Sequence, residues 1–185
     1  RLKAGSLDVL AQHVLGTAAG LDAQRLITIT GHGAEAVETA MRAAFPAAPL
    51  AFVRQEPQLG TGHAVQQAVP ALHDEGTTLI LNGDVPLIEA ATARALVEAC
   101  GGTRLALLTI ELADPSGYGR ILRDGERVLG IVEHKDASDA QRAIREVYTG
   151  MMAAPTRALK RWLARLSNDN AQREYYLTDI VAMAV

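Results

Sequence analysis

Up to Glu111, the apolar residues of the chain follow two spacings that alternate. Spacings of three and four residues predict helices, at residues 7–18, 37–44, 64–72 and 93–100. Short apolar runs predict buried strands, at residues 26–30, 50–54 and 105–111, with a further strand that starts at Thr78 and ends at Asp84. Such alternation is typical of βαβ units, in which helices cover both faces of a parallel sheet.

Beyond Glu111 the pattern changes to that of antiparallel strands. Asp124 and Gly125 form a strong hairpin signal between residues 120–123 and residues 127–133. A strand at residues 145–153 and a helix with an apolar stripe follow. We therefore predict an α/β fold, a three-layer, Rossmann-like α/β/α sandwich with a mixed sheet and an inserted hairpin.

The composition indicates one globular domain in the cytoplasm. The chain has 185 residues, of which 49% are hydrophobic and 21% charged, close to the globular average. Its net charge of −3 offers no basic face to nucleic acid or to an anionic membrane. The single cysteine, Cys100, excludes an internal disulfide and fits a reducing compartment. Because the chain starts almost directly with a helix and ends at Val185 inside an apolar pattern, we expect a fragment.

The strand that starts at Thr78 leads into the first candidate site. Asn82, Gly83 and Asp84 follow its apolar run, and Pro86 then breaks the chain. Ligands of open α/β sheets bind at the carboxyl ends of strands, and a carboxylate there suits Mg²⁺, which prefers one or two carboxylates plus substrate phosphates. The alternative is a capping or turn aspartate without a ligand.

Residues 55–63 (QEPQLGTGH) form the second candidate site. Two glycines around Thr61 would let the backbone approach a flat ligand, and the amide of Gln55 offers a donor and an acceptor that suit the edge of a nucleobase. The alternative is that Thr61 only caps the helix that starts near His63.

Residues 31–36 (GHGAEA) match the dinucleotide fingerprint, with Glu56 at a suitable distance. The helix start that follows would favour a pyrophosphate. The alternative is a glycine-rich turn without a ligand, because an isolated match of this kind carries little specificity.

Two further clusters flank the predicted hairpin. Residues 114–120 (DPSGYGR) place glycines on both sides of a tyrosine, which suggests close approach to a ligand or a simple turn. Residues 133–136 (EHKD) end a strand, and Glu133 would bind sugar hydroxyls if that strand points it into a cleft.

The ordered set of these motifs resembles the uridylyltransferase domain of the bifunctional N-acetylglucosamine-1-phosphate uridylyltransferase/glucosamine-1-phosphate acetyltransferases. The resemblance covers residues 11–185, and its nucleotide-diphospho-sugar transferase fold agrees with the predicted sandwich. Its markers are QEPQLGTGH (55–63), NGDVPL (82–87), GYGR (117–120), IVEHKDA (131–137), TG (149–150) and NDNAQREYYLTDI (168–180).

The resemblance implies a role for each matching residue. Contacts to the uracil and nucleoside would come from Gln55, Gly60 and Thr61. Asn82 and Gly83 would line the site, and Asp84 would ligate Mg²⁺ as the catalytic residue. Gly119 and Glu133 would hold the N-acetylglucosamine moiety. At Tyr148 the family commonly has a sugar-binding asparagine, so contact there would involve the backbone or the phenol.

The implied reaction joins UTP and N-acetylglucosamine 1-phosphate into UDP-N-acetylglucosamine and pyrophosphate. The sugar phosphate attacks the α-phosphorus in line, and Mg²⁺ offsets the developing charge. The resemblance also places a triphosphate loop before residue 1, and an acetyltransferase domain that forms homotrimers after residue 185. Without that loop, we expect the 185 residues alone to be inactive. Alternatives are another sugar nucleotidyltransferase, a non-catalytic nucleotide-sugar-binding fragment and a dinucleotide-dependent oxidoreductase.

Overall fold

The computed structural model of the chain describes the backbone from Ala4 to Val185 and the side chains from Val9 onward. The helices are α1 (Ala4–Ala19), α2 (Ala34–Ala44), α3 (Thr61–Ala68), α4 (Ala90–Cys100), α5 (Asp139–Arg142), α6 (Thr156–Leu163) and α7 (Ile180–Ala184). The strands are β1 (Leu26–Thr30), β2 (Leu50–Arg54), β3 (Thr77–Ile80), β4 (Ala106–Glu111), β5 (Arg120–Asp124), β6 (Arg127–Val132) and β7 (Glu146–Pro155). Short 3-10 turns occupy Val69–Ala71 and Leu177–Asp179.

The strands form two sheets in the described part of the chain. β1 and β2 pair in parallel, from Leu26 opposite Leu50 to Thr30 opposite Arg54. In the other sheet, β7 pairs antiparallel with β3, β4 and β5, and β6 extends β5. The predicted mixture of parallel and antiparallel strands is confirmed. The expectation of parallel pairing throughout the first half is wrong for β3 and β4, because the described partner of both is the distant strand β7, to which they run antiparallel.

The two faces of β7 separate two helical layers, as the predicted sandwich requires. Met151 and Ala153 pack with α4, whereas Met152 and Ala154 pack with α3 and α6. Neighbouring residues of a strand point to opposite faces, so the sheet lies between these helices. All four side chains are buried, and full burial of a methionine contributes about 1.5–3 kcal/mol. β7 therefore lies at the centre of the core.

Local signals placed several boundaries well. Gly125, with φ 58°, turns the chain between β5 and β6, which confirms the predicted hairpin. The helix around residues 64–72 ends at Ala68, and Pro70 lies in the 3-10 turn that follows. β3 ends at Ile80, so Asp84 stands in a turn beyond the strand rather than at its last residue. No helix between Ala4 and Val185 is long and apolar enough to cross a membrane.

Candidate functional site

Residues 55–63, called the Gln55 loop below, connect the end of β2 to the start of α3. The backbone N–H of Gln55 donates to the carbonyl of Thr30 at 2.8 Å, which continues the pairing of β1 and β2 by one residue. The Gln55 side chain then turns back across the loop, and its Nε2 donates to the carbonyl of Gly60 at 2.8 Å. The same nitrogen lies 3.1 Å from Nδ1 of His63. The Gln55 amide is therefore held at a fixed position by the loop that carries it.

Two glycines of the Gln55 loop lie directly against residues 174–175. A Cβ added to Gly60, whose φ is +102°, would stand 2.7 Å from the carbonyl oxygen of Tyr175. A Cβ on Gly62 would stand 2.8 Å from that oxygen and 2.6 Å from Cδ1 of Leu166. The backbone N–H of Gly62 donates to the same oxygen at 2.7 Å. Close approach of two protein segments thus requires both glycines, in addition to any approach by a ligand.

Thr61 is not the cap of α3. The helix starts at Thr61 itself, with Gly60 as its N-cap and no side-chain cap hydrogen bond. The Oγ1 of Thr61 instead accepts a hydrogen bond of 3.1 Å from the backbone N–H of Leu177. The capping alternative is wrong because this hydroxyl connects α3 to a segment more than one hundred residues later in the chain.

Gly119, just before β5, Glu133, just after β6, and Tyr148, in β7, form a second group. The backbone N–H of Tyr148 donates to the carbonyl of Gly119 at 2.9 Å. A Cβ on Gly119 would stand 3.5 Å from a carboxylate oxygen of Glu133. The structure therefore brings these three predicted residues together, with the half-buried Glu133 carboxylate beside a backbone that carries no side chain.

The 3-10 turn Leu177–Asp179 joins the Gln55 loop to this second group. Leu177 holds Thr61, and the buried hydroxyl of Thr178 donates to Oε1 of Glu133 at 2.8 Å. Sequence reasoning used these residues only as part of a family marker and gave Thr178 no role. Their role could not be found from spacing, since the Thr178–Glu133 bond spans 45 residues.

Carboxylates crowd the region around Glu133. Burial, followed by the nearby carboxylates of Glu133 and Asp136, raises the pKa of Asp179 above its ordinary value. Burial, followed by the carboxylate of Glu133, also raises the pKa of Tyr148. The phenol oxygen of Tyr148 is buried without a hydrogen-bond partner among the described residues, and the ring packs in the core beneath the second group.

Arg120 is a further residue of this region that sequence reasoning did not single out. Arg120 is 1% exposed, and its guanidinium donates to the carbonyls of Tyr118 and Arg142 and to Nδ1 of His134. A buried charged side chain is stable only when such partners surround it. Arg120 thereby connects the backbone of Tyr118, just before Gly119, to His134, which follows Glu133.

Residues 82–87, called the Asp84 loop below, are more open. Asn82 packs against Gly150, two residues beyond Tyr148, because a Cβ at Gly150 would collide with its amide. A Cβ on Gly83 would meet only the Cβ of Ala11, at 3.8 Å. The carboxylate of Asp84 is exposed and has no hydrogen bond or ion pair with a described residue.

A single accessible carboxylate fits one kind of metal site. Among residues whose side chains are described, no three histidine, cysteine, aspartate or glutamate side chains form a group that could hold a metal ion. A protein cage for Ca²⁺ or Zn²⁺ requires several such ligands. Mg²⁺ requires only one or two carboxylates when phosphates complete its shell, so Asp84 could hold this ion together with a phosphate ligand.

The dinucleotide fingerprint is partly covered by protein. A Cβ on Gly31 would collide with the side chain of Gln58, so the amide of Gln58 lies on the backbone where the fingerprint requires close approach of a pyrophosphate. Gly33 takes a left-handed conformation, φ 73°, as the N-cap of α2. The glycines of this segment therefore have structural roles without a dinucleotide.

Comparison with known proteins decides between the families considered. The family model described as MobA-like NTP transferase domain matches residues 6–175. The chain belongs to this family. The bifunctional protein GlmU of Methylibium petroleiphilum is 84% identical over 180 residues, which are 95% of this chain and 39% of that protein. GlmU of Acidovorax sp. is 64% identical over 95% of the chain and 38% of its own length.

The structural comparison supports the same fold. The chain matches the crystal structure of UDP-glucose pyrophosphorylase complexed with UDP-glucose, with a TM-score of 0.77 and 14% sequence identity, over 94% of this chain and 74% of that one. The predicted nucleotide-sugar transferase fold and the resemblance to the bifunctional uridylyltransferases are thus confirmed. The NTP transferase chain described here spans about two fifths of the length of the GlmU proteins it matches.

Proposed function

We propose that the chain is the base- and sugar-binding part of a GlmU uridylyltransferase, which transfers the uridylyl group from UTP to N-acetylglucosamine 1-phosphate with Mg²⁺ as cofactor. The observation that carries the proposal is the connection made by Leu177 and Thr178. This turn binds Thr61 with one residue and Glu133 with the next, so that the motifs expected to contact nucleoside and sugar belong to one continuous site. The 84% identity to a GlmU protein supports the choice of substrates.

Each part of the site has a role in this proposal. Gln55, Gly60 and Thr61 contact the uracil and the nucleoside. Glu133 accepts hydrogen bonds from sugar hydroxyls, and Gly119 contacts the sugar through its backbone. The missing side chain of Gly119 makes room for Ile131, whose Cγ2 would lie 2.7 Å from a Cβ there. Tyr148 supports Gly119 from the core through its backbone bond to that residue.

The Asp84 loop would provide the metal in this proposal. Asn82 and Gly83 line the phosphate side of the site, and Asp84 would hold Mg²⁺, which would supply positive charge to the phosphate oxygens. No covalent intermediate with the protein is required, because phosphoryl and nucleotidyl transfer depend on positioning and electrostatic stabilisation. The single, buried Cys100 is consistent with a cytoplasmic enzyme.

Binding measurements on the 185-residue chain test the proposal. We expect calorimetry to show binding of UDP-N-acetylglucosamine in the presence of Mg²⁺, and weaker binding of UDP-glucose. Replacing Gln55 with alanine removes the side chain expected to pair with the base, and an unpaired buried base edge costs about 1–3 kcal/mol. Equal affinity of wild type and Gln55→Ala for the uridine nucleotide would contradict the role of Gln55, and a preference for UDP-glucose would identify a different sugar nucleotidyltransferase.

A further inference from the structure

His63 lies between two glutamine side chains at the start of α3. Its Nδ1 is 3.1 Å from Nε2 of Gln55, and its Nε2 is 3.0 Å from Nε2 of Gln67. The imidazole ring also lies beside the ring of Tyr175, with the two centroids 6.1 Å apart. The backbone of Tyr175 is itself bonded to Leu59 and to Gly62. The position of the imidazole is therefore fixed by the same contacts that close the Gln55 loop.

The hydrogen bonds of Gln55 determine the state of this ring. The carbonyl of Gly60 can only accept, so the atom of Gln55 that faces it at 2.8 Å must be the amide nitrogen. That nitrogen has two hydrogens, and the second one points to His63. Nδ1 of His63 must then be the nitrogen with the free lone pair, and the proton of the neutral ring is on Nε2.

This assignment also fixes Gln67. An Nε2–H group of His63 needs an acceptor, so the amide of Gln67 presents its oxygen rather than its nitrogen to the ring. Amide oxygen and nitrogen are distinguished only by such networks. The rearrangement replaces the 3.3 Å bond from the Gln67 nitrogen to the carbonyl of His63 by a contact between two oxygens, a cost that is smaller than loss of the shorter, 2.8 Å bond from Gln55 to Gly60.

We propose that His63 is a positioning residue that makes the Gln55 loop selective for uracil. Both hydrogens of the Gln55 amide are bound, to Gly60 and to His63, so Gln55 can offer only its oxygen to a ligand. An oxygen accepts from the N3–H group of uracil but faces a lone pair at N3 of cytosine. This inference rests on the proposed function, because that function places a uracil base at Gln55.

Replacement of His63 by leucine removes the hydrogen-bond acceptor Nδ1 and keeps a side chain of similar volume. One N–H group of Gln55 then loses its partner, and only the bond to Gly60 still holds the amide. The amide can then turn its nitrogen to the base, so the preference for uracil over cytosine should fall by about tenfold. Replacement by asparagine places Oδ1 near the position of Nδ1, and it should preserve the preference. Gln66→Leu is the matched control, since Gln66 is also in α3 but donates to the carbonyl of Leu163 on α6.

The experiment has one arm with ligands and one without. Calorimetry with UDP and with CDP gives the affinity ratio for wild type, His63→Leu, His63→Asn and Gln66→Leu, each first shown to be folded by thermal melting. In the ligand-free wild-type chain, the nitrogen chemical shifts of the His63 ring should show a proton on Nε2 and none on Nδ1 at neutral pH. Loss of the UDP preference in His63→Leu alone is the expected result.

Several results would overturn the inference. A wild-type preference retained in His63→Leu would show that His63 does not control base selection, and a proton on Nδ1 would show that Gln55 is not held as described. An equal loss of UDP preference in His63→Asn would mean that the shape of the imidazole, and not its hydrogen-bond acceptor, controls the preference. If the wild-type chain binds neither nucleotide, the proposed function fails and the selectivity for uracil fails with it. The nitrogen shifts still establish whether the hydrogen bonds exist.

Discussion

The Gln55 loop and the Asp84 loop belong to the same candidate site but are built in opposite ways. The Gln55 loop is connected on every side: Gln55 binds Gly60, Thr61 binds Leu177, and Gly62 binds Tyr175. In the Asp84 loop, the side chain of Asn82 packs against Gly150, while Asp84 is exposed without a partner among the described residues.

The difference follows from what each loop is proposed to bind. A site that distinguishes one base from another must hold its donors and acceptors in place before the ligand arrives, because ordering them during binding costs affinity. A carboxylate that binds Mg²⁺ together with phosphates gains its partners from the ligand. It therefore needs access to solvent more than it needs contacts within the protein.

The largest expected effect comes from matched glycine substitutions in the two loops. Gly60→Ala places a Cβ 2.7 Å from the carbonyl of Tyr175 at a φ of +102°, so strain and overlap should destabilise the fold by about 2–4 kcal/mol. Gly83→Ala meets only ordinary contact, at 3.8 Å from Ala11, and should change stability by less than about 0.5 kcal/mol. Urea unfolding of both variants measures this contrast, and similar losses in both would show that the loops are equally constrained.

The strands also differ in how far the sequence predicts them. β1, β2 and the β5–β6 hairpin depend on local patterns, and their predicted positions are close to the observed ones. The pairing of β3 with β7 joins residues more than seventy positions apart. Periodicity carries no information about such a pairing, so β3 was expected in the parallel sheet.

The candidate site shows the same division. Gln55, Gly60, Thr61 and Asp84 could be found because glycines and polar residues interrupt apolar runs at the ends of strands. The link from Thr178 to Glu133 and the ring of His63 could not, because their function depends on hydrogen bonds between side chains. His63 was part of a recognised motif, yet its role appears only when its two amide neighbours are located.

A smaller effect is expected where the two halves of the site join. Thr178→Val keeps the shape of the side chain but removes the 2.8 Å hydrogen bond to Glu133. The half-buried carboxylate regains some water, so the loss should be about 1 kcal/mol, both in stability and in affinity for UDP-N-acetylglucosamine. Affinity for UDP should stay unchanged because the Gln55 loop is intact.

Thr109→Val is the matched control for this substitution. It also removes a bond from threonine to glutamate, of 2.9 Å, but the acceptor is Glu146 and not Glu133. Calorimetry with both ligands separates the two variants. If Thr109→Val weakened binding of the sugar nucleotide as much as Thr178→Val, the specific role of Thr178 would be rejected.

The smallest effect concerns acid stability outside both loops. Arg123 forms a two-pronged ion pair with Glu146, at 2.6 and 2.7 Å, and its hydrogen bonds hold the pKa of Glu146 below the ordinary value of 4.5. A lowered carboxylate pKa stabilises the fold above the pKa of the unfolded chain, and this stabilisation is lost as pH falls through the folded-state value.

Replacement of Glu146 by glutamine tests the direction of this pH dependence. Glu146 is partly exposed, with 21% of its side chain accessible. The free energy of unfolding of wild type should therefore exceed that of the variant by only about 0.5–1 kcal/mol at pH 7. The difference should shrink as the pH falls below 4.5. Thermal unfolding at a series of pH values measures it, and a difference that grows in acid would refute the assigned direction. Binding of UDP should be the same in both proteins at pH 7.

The proposed metal role of Asp84 is tested most directly by titrating UDP-N-acetylglucosamine into wild type and Asp84→Asn, each with Mg²⁺ and with a chelator. Mg²⁺ should strengthen binding to wild type by about tenfold or more, a free energy of roughly 1.4 kcal/mol, and should have little effect on the variant. The ligand-free stability of Asp84→Asn should equal that of wild type, since the carboxylate is exposed. An equal response to Mg²⁺ in both proteins would contradict the metal role of Asp84.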